Sequence, residues 1–393
     1  MNASLQALKI AAVVSIGLST GLLRGSEEAG PSQVSAKALE HSIERGVAFL
    51  IEAQNSNGSW GSARQTKGLN IYAPVPGAHD AFRTAVTAMS VSALIDSGAA
   101  DVKGSAAAKS VETGTEFLLE NLPLVRRATA DAIYNVWTHA YGIQAMVDIY
   151  PRVNRKTKKR VAEVVVGQID RLGRYESVDG GWGYYDFRAG TKKPSSSSIS
   201  FTTATCLVAL HEAKSIPGIT VPDKLVERAI AATNRQRKSD HSYLYGEYLR
   251  ARPLYGINRP AGSLGRSQAC NFALRIWGDE TVSNEVIVEW LDRLAERNGW
   301  LGIGRKRPIP HEAWFQIAGY FYYYGHYYAG LSLRLLPEEE RVIHQQRLAG
   351  ILMELQEKDG SWWDFPFYSY HQPYGTAFAV MTLARCRQDE LSQ

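Results

Sequence analysis

Several apolar stretches of this 393-residue chain each carry a few residues able to move protons or hold charge. His79 and Asp80 open the first, with Arg83 one helical turn on. Asp131, Tyr134, Asn135, Thr138 and His139 mark the second, at spacings that put several of them on one helical face. Further along stand Arg266, Ser267 and Cys270, then His311, Glu312, Tyr323 and His326 around the aromatic run 320–328, then His371. Histidine, tyrosine and arginine together can abstract and return a proton, which makes His139, Tyr323 and His326 the acid–base candidates. The candidates for holding a ligand are His79, Asp80, Arg83, Asp131, Tyr134, Arg266, His311, Tyr320, His371 and Tyr374. One histidine among apolar neighbours is usually a hydrogen-bonded core residue; several recurring near the same end of successive helices suggest a polar cavity. Carboxylate pairs of the kind that hydrolyse glycosides are scarce, with Asp80, Asp131 and Glu312 the obvious acids.

The elements that must position these residues come from a repeat. Asn57-Gly58-Ser59-Trp60, Asp179-Gly180-Gly181-Trp182, Asn298-Gly299-Trp300 and Asp359-Gly360-Ser361-Trp362 are turn signals, with a degenerate copy ending at Tyr243. Aromatic positions 60, 182, 243, 300 and 362 are spaced by 122, 61, 57 and 62, so a copy near Asn121-Leu122-Pro123 has lost its turn. Each unit of about sixty residues reads as an amphipathic helix (38–54, 106–121, 158–172, 223–236, 284–297 and 338–356) followed by a small, apolar, nearly uncharged one. The second set begins near 80, 129, 198, 265, 312 and 374 and must be enclosed. Six outer helices alternating with six enclosed ones predict an all-α, (α/α)6 toroid, with an open superhelix as the geometric alternative. Connections from outer to inner helix are the long ones and fall on one face, where the inner-helix N-termini and basic residues such as Arg250, Arg252, Arg259 and Arg305 would favour an anionic ligand.

The stretch 45–60, R-G-x3-L-x3-Q-x3-G-x-W, echoed by Gln356, Gly360 and Trp362, resembles the QW motif of the prenyltransferase and squalene-cyclase repeat superfamily. The resemblance covers about residues 37–387 and implies the toroid, with Trp60, Trp182, Trp300 and Trp362 as turn anchors. Its enzymes' chemistry does not carry over residue by residue. The D-x-D-D acid of terpene cyclases is absent. Of the zinc set of the protein prenyltransferases, Cys270 is matched, Gln268 replaces the Asp, and His371 lies four residues before the position near Gly375. The expectation is therefore no cofactor, with zinc through Cys270, His371 and another ligand as the exception.

With 45% hydrophobic and 21% charged residues the chain is an ordinary folded protein, and 44 basic against 39 acidic residues exclude nucleic acid as the expected partner. Cys206, Cys270 and Cys386 are read as buried thiols. Lys9, the apolar segment 10–23 and Arg24 read as an export signal or retained anchor over 1–25, followed by a linker at 26–36 and the toroid at 37–390. Membrane contact is expected through that segment only, and the location is periplasmic or extracellular. The leading function is an exported protein binding or processing an isoprenoid-like or other anionic amphiphile in an aromatic, histidine-lined cavity. The alternatives are a carbohydrate-active toroid, lyase or hydrolase, and a non-catalytic binding or scaffold protein.

Overall fold

The computed structural model describes residues 34–66, 77–186, 193–195, 198–307 and 322–388. The helices run α1 (Ala36–Glu52), α2 (Ala78–Asp96), α3 (Ala106–Asn121), α4 (Asn135–Ile149), α5 (Arg155–Tyr175), α6 (Ser200–Ala213) and α7 (Asp223–Gln236). They continue with α8 (Leu264–Ile276), α9 (Asn284–Glu296), a short α10 (Asn298–Ile303), α11 (Tyr322–Ser332), α12 (Glu338–Glu354) and α13 (His371–Ala384). Side-chain oxygens of Ser35, Ser105, Asn154 and Ser283 accept a backbone N–H three residues on and so start α1, α3, α5 and α9. These helices bury a stripe each, whereas α2, α4, α6, α8, α11 and α13 are buried almost all round.

The buried set packs side by side in the order α2, α4, α6, α8, α11, α13, and α13 returns to α2. The first outer helix, α1, lies against both α13 and α2, so the ring closes on itself. This is the (α/α)6 toroid, and the open superhelix is excluded.

Three tryptophan turns repeat atom for atom. The indole Nε1 of Trp60, Trp182 and Trp362 donates to the carbonyls of Leu50, Leu172 and Leu352 at 2.6, 2.8 and 2.8 Å, each satisfying a helix-end acceptor. Their backbone N–H groups donate to Thr87, Thr203 and Thr376 on the next inner helix, each at 3.0 Å. Gly58, Gly180 and Gly360 hold positive φ, and in the degenerate copy His241 takes the same conformation at 55°. Trp300 departs from its expected role: it sits on α10, 46% exposed, and anchors no turn. Near position 121 the lost turn is a 3-10 segment at Leu122–Leu124, whose carbonyls take Arg171 instead. Gln168 is not the turn glutamine of its copy. Six residues before Trp182, where Gln54 and Gln356 stand in theirs, is Glu176, which binds Arg228 at 2.6 Å.

Inside the ring the bore is filled at mid-height. Trp137 on α4 meets Tyr324 on α11, the helix facing it across the ring, at 6.3 Å between centroids. Phe378 on α13 touches Tyr141, Tyr324 and Tyr327. The hydroxyls of Tyr324 and Tyr328 are satisfied on α6, by the Phe201 carbonyl and Thr205 Oγ1, both at 3.0 Å. This aromatic plug separates a set of half-buried aromatic residues at the inner-helix N-termini, here called the funnel, from a cavity of about 30 Å³ at their C-termini, lined by Asp96, Asp148, Glu212 and Arg385 among others. That is room for one or two waters.

Candidate functional site

The funnel opens on the long-loop face. Phe82 near the start of α2, Tyr134 before α4, Trp137 on its first turn, Tyr184 after Trp182, Phe367 before α13 and Tyr374 on its first turn are all half-buried. They form a continuous wall: Phe82 lies 4.6 Å from Phe367 and 4.9 Å from Tyr134, and Tyr134 stacks on Tyr184 at 6.0 Å. Flat, partly exposed rings with a few polar tips suit a ligand with its own apolar faces.

Asp364 is the chemical centre of this face. It is fully buried, two residues after Trp362. Its Oδ2 accepts the Tyr323 backbone N–H and the Tyr374 hydroxyl, both at 3.2 Å, while Oδ1 has no hydrogen-bond partner. Burial outweighs those two bonds, and the pull of the Phe365 and Asp364 backbone N–H groups, and pushes the carboxyl up to about 7. The corresponding loops of other copies also carry acids, but Asp186 is met by Arg127 at 3.1 Å and Glu247 by Arg235. Asp364 has no ion-pair partner among the described residues. Lys306, whose backbone N–H binds the Asp364 carbonyl, gives its ammonium to Glu357.

Two expected site residues, Tyr323 and Tyr374, thus meet around one carboxylate. The Tyr323 hydroxyl is itself buried without a partner, and burial drives its proton affinity well up. A second pairing brings His79 to Tyr370, 3.2 Å from Nδ1 to the hydroxyl, with Arg83 close enough to help lower the histidine's pKa. Asp80 and Asp131 are exposed, and Asp131 is held low mainly by the Thr129 hydroxyl at 2.5 Å. Tyr134 reaches the Tyr185 hydroxyl. His311, Glu312 and Tyr320 lie outside the described residues.

The other candidates face away from the funnel. His139 is sealed between Gln168 on α5, 2.7 Å from Nδ1, and Asn135, 3.2 Å from Nε2; burial lowers it to about 3. His326 is held the same way by the Tyr322 carbonyl at 2.7 Å and Asn298 at 2.9 Å, and is lowered to about 4. Arg266 is 1% exposed, and its guanidinium donates to the carbonyls of Tyr243, Gly262 and Ile257. It organises the loop before α8 from within. His371 lies under Trp363 with Nδ1 at 2.5 Å from the Tyr368 carbonyl, while Cys270 is buried on α8, its thiol pushed up to about 12 by burial. Helices α8 and α13 are two ring positions apart, so these two residues do not make a zinc site. Sequence reading missed Asp364; its signal was an acid inside the aromatic run Trp362-Trp363-Asp364-Phe365.

The fold is an α/α toroid that gathers half-buried aromatic residues and one buried carboxyl at its inner-helix N-termini. No family model and no curated protein sequence matches the chain. In fold it is similar to an inactive variant of the GH76A α-1,6-mannanase of Salegentibacter sp. HEL1_6 in complex with α-1,6-mannotriose, at TM-score 0.53 and 12% identity over 89% of this chain and 100% of that one. It is similar also to the unsaturated glucuronyl hydrolase of Streptococcus agalactiae, at TM-score 0.52 and 12% identity over 90% and 92%. A type II terpene cyclase from Scytonema with bound geranylgeranyl dihydroxybenzoate follows at TM-score 0.49 and 14% identity over 89% and 97%. At such identities the likeness concerns the fold alone.

Proposed function

We propose that the protein binds a saccharide in the aromatic funnel and takes a proton from it through Tyr374, with Asp364 behind. The observation that carries this reading is the Asp364 carboxyl, buried, with no ion-pair partner among the described residues and bonded to a half-buried tyrosine at 3.2 Å. Tyr374 is the group that would touch the ligand. As its oxygen accepts a proton from a ring C–H of the ligand, its own proton passes along the existing bond to Asp364, which must be ionised to receive it; the C–H electron pair becomes a C=C bond as the glycosidic C–O bond on the next carbon breaks, and the leaving oxygen takes a proton from water. The carbohydrate-active toroids similar in fold support the substrate class as analogy only. Export, or anchoring by the N-terminal segment, remains part of the proposal and fits a substrate outside the cell.

An anionic, isoprenoid-like amphiphile is the second reading, favoured by the apolar walls and by Arg305 and Lys306 beside the site. It requires the plug of Trp137, Tyr324 and Phe378 to open for an apolar tail, whereas a saccharide would need only the half-buried rings above it. The test is a panel of neutral and acidic oligosaccharides, read for new unsaturated and reducing ends, alongside calorimetry with polyprenyl phosphates. Turnover or binding of a saccharide that Tyr374→Phe abolishes supports the proposal. Binding of the polyprenyl phosphates alone overturns it in favour of the amphiphile.

A further inference from the structure

The loop from α7 to α8 carries a strip that the funnel does not use. Tyr248, Leu254 and Tyr255 are 61, 75 and 46% exposed, and Arg250, Arg252 and Arg259 stand exposed between and beside them. The acid on this strip, Glu247, has a side chain only 10% exposed and is bound by Arg235, with Arg250 at 3.6 Å. The strip is therefore net positive as well as aromatic. It is also built rather than frayed. Arg266 ties its two ends to each other through the carbonyls of Tyr243 and Gly262, and Asn258 holds Tyr245 N–H at 2.8 Å and the Arg252 carbonyl at 3.0 Å. Short helix α10, which carries Trp300 at 46% exposure, packs against the 261–263 turn.

The strip is anchored to the funnel wall from within: buried Tyr245 at its root bonds to the Tyr184 hydroxyl and lies 5.3 Å from Phe201. Exposed rings and guanidiniums alternate along the strip. We infer that the strip is a docking site for a polyanionic glycan chain, of the polyuronate or sulfated class, which extends beyond the residues held in the funnel. Pyranose faces stack on tyrosine and tryptophan, and carboxylates or sulfates match the guanidinium fork. The inference rests on the saccharide reading of the funnel and narrows its substrate to an acidic polymer. Single-stranded nucleic acid uses a similar mixture of rings and cations, and an anionic bilayer would accept Leu254; neither follows from a saccharide site anchored to the same loop, and both are outcomes of the test.

The test measures equilibrium binding of the full chain to polygalacturonate, neutral mannan, single-stranded DNA and phosphatidylserine vesicles at two salt concentrations. Polygalacturonate is expected to bind at least about tenfold more tightly than mannan and to weaken with salt. The variant R250Q/R252Q/R259Q, changed only at exposed positions, should lose about tenfold or more for the polymer while keeping its affinity for short oligosaccharides. Polymer binding no tighter than mannan, an unaffected variant, or tighter binding of DNA or vesicles would each overturn the inference. If oligosaccharides never bind but polymer binding still depends on the arginines, the funnel reading fails and the strip stands.

Discussion

The Tyr374 hydroxyl donates to Oδ2 of Asp364 at 3.2 Å, and that bond joins the half-exposed wall of the funnel to a carboxyl with no solvent contact. Because Asp364 is raised to about 7, it must lose its proton before it can receive one from Tyr374. Turnover of a responsive substrate should therefore rise with pH through about 7. Asp364→Asn, which cannot take the proton, and Tyr374→Phe should each abolish turnover while leaving the fold, read from activity across the pH range and from circular dichroism.

The same carboxyl carries a stability signature. Its folded pKa of about 7 lies above the ordinary 3.8, so between those values the folded state holds the proton that the unfolded chain has lost. Its contribution is greatest below 3.8 and falls by up to about 1.4 kcal/mol per pH unit as pH rises to 7. Denaturant titration of Asp364→Asn across this window should show that decline flattened.

His139 and His326 act in the opposite direction. Lowered from 6.5 to about 3 and about 4, they stay neutral in the fold while the unfolded chain takes up protons. Stability is present above 6.5 and is lost as pH falls below it, by up to about 1.4 kcal/mol per unit for each histidine. His139→Gln should reduce that acid slope, as measured by urea midpoints at pH 4.5 to 7, and should leave ligand binding unchanged.

Ring closure has its own test. Gly360 holds φ at 87°, and a Cβ there would lie 2.5 Å from the carbonyl oxygen of Arg45, at the other end of the chain. Gly180 meets Arg228, and Gly58 meets Thr113, in the same way. Gly360→Ala combines a backbone conformation disfavoured by about 1–3 kcal/mol with a clash against backbone, so the melting temperature should drop by several degrees. An unchanged melting temperature would mean that the two ends do not pack as described.

Arg266 separates structure from binding. Its guanidinium serves three backbone carbonyls, so Arg266→Met should destabilise the chain by about 1–3 kcal/mol or more through the acceptors it leaves unpaired. Chemical denaturation reads this directly. Loss of ligand affinity at full stability would instead restore the anion-binding role expected from the sequence.

The repeat made most of the fold legible before any coordinates. The sixty-residue spacing of Trp60, Trp182 and Trp362 and the contrast between amphipathic and enclosed helices follow from local periodicity, and the boundaries of α3 and α7 matched residue for residue. Closure was inferred from repeat number, and the contact of α13 with α2 and α1 settles it. The site was much less legible. Chemistry-bearing residue types can be picked from a sequence, but the direction in which a helical side chain points depends on what packs around it. Thus His139 and His326 turn toward α5 and the α9–α10 corner, where Gln168 and Asn298 satisfy them, and Arg266 turns into its own loop. Asp364 drew no notice because one acid among aromatics is ordinary until its neighbours are known. Tertiary packing took away its water, and that burial raised it to about 7 against the hydrogen bonds that lower it, with no ion-pair partner among the described residues. The sequence alone determined the ring and its turns, which depend on spacing; only the folded ring decided which polar groups stay unsatisfied at the funnel, because that depends on which side chains of neighbouring helices and loops turn toward one another.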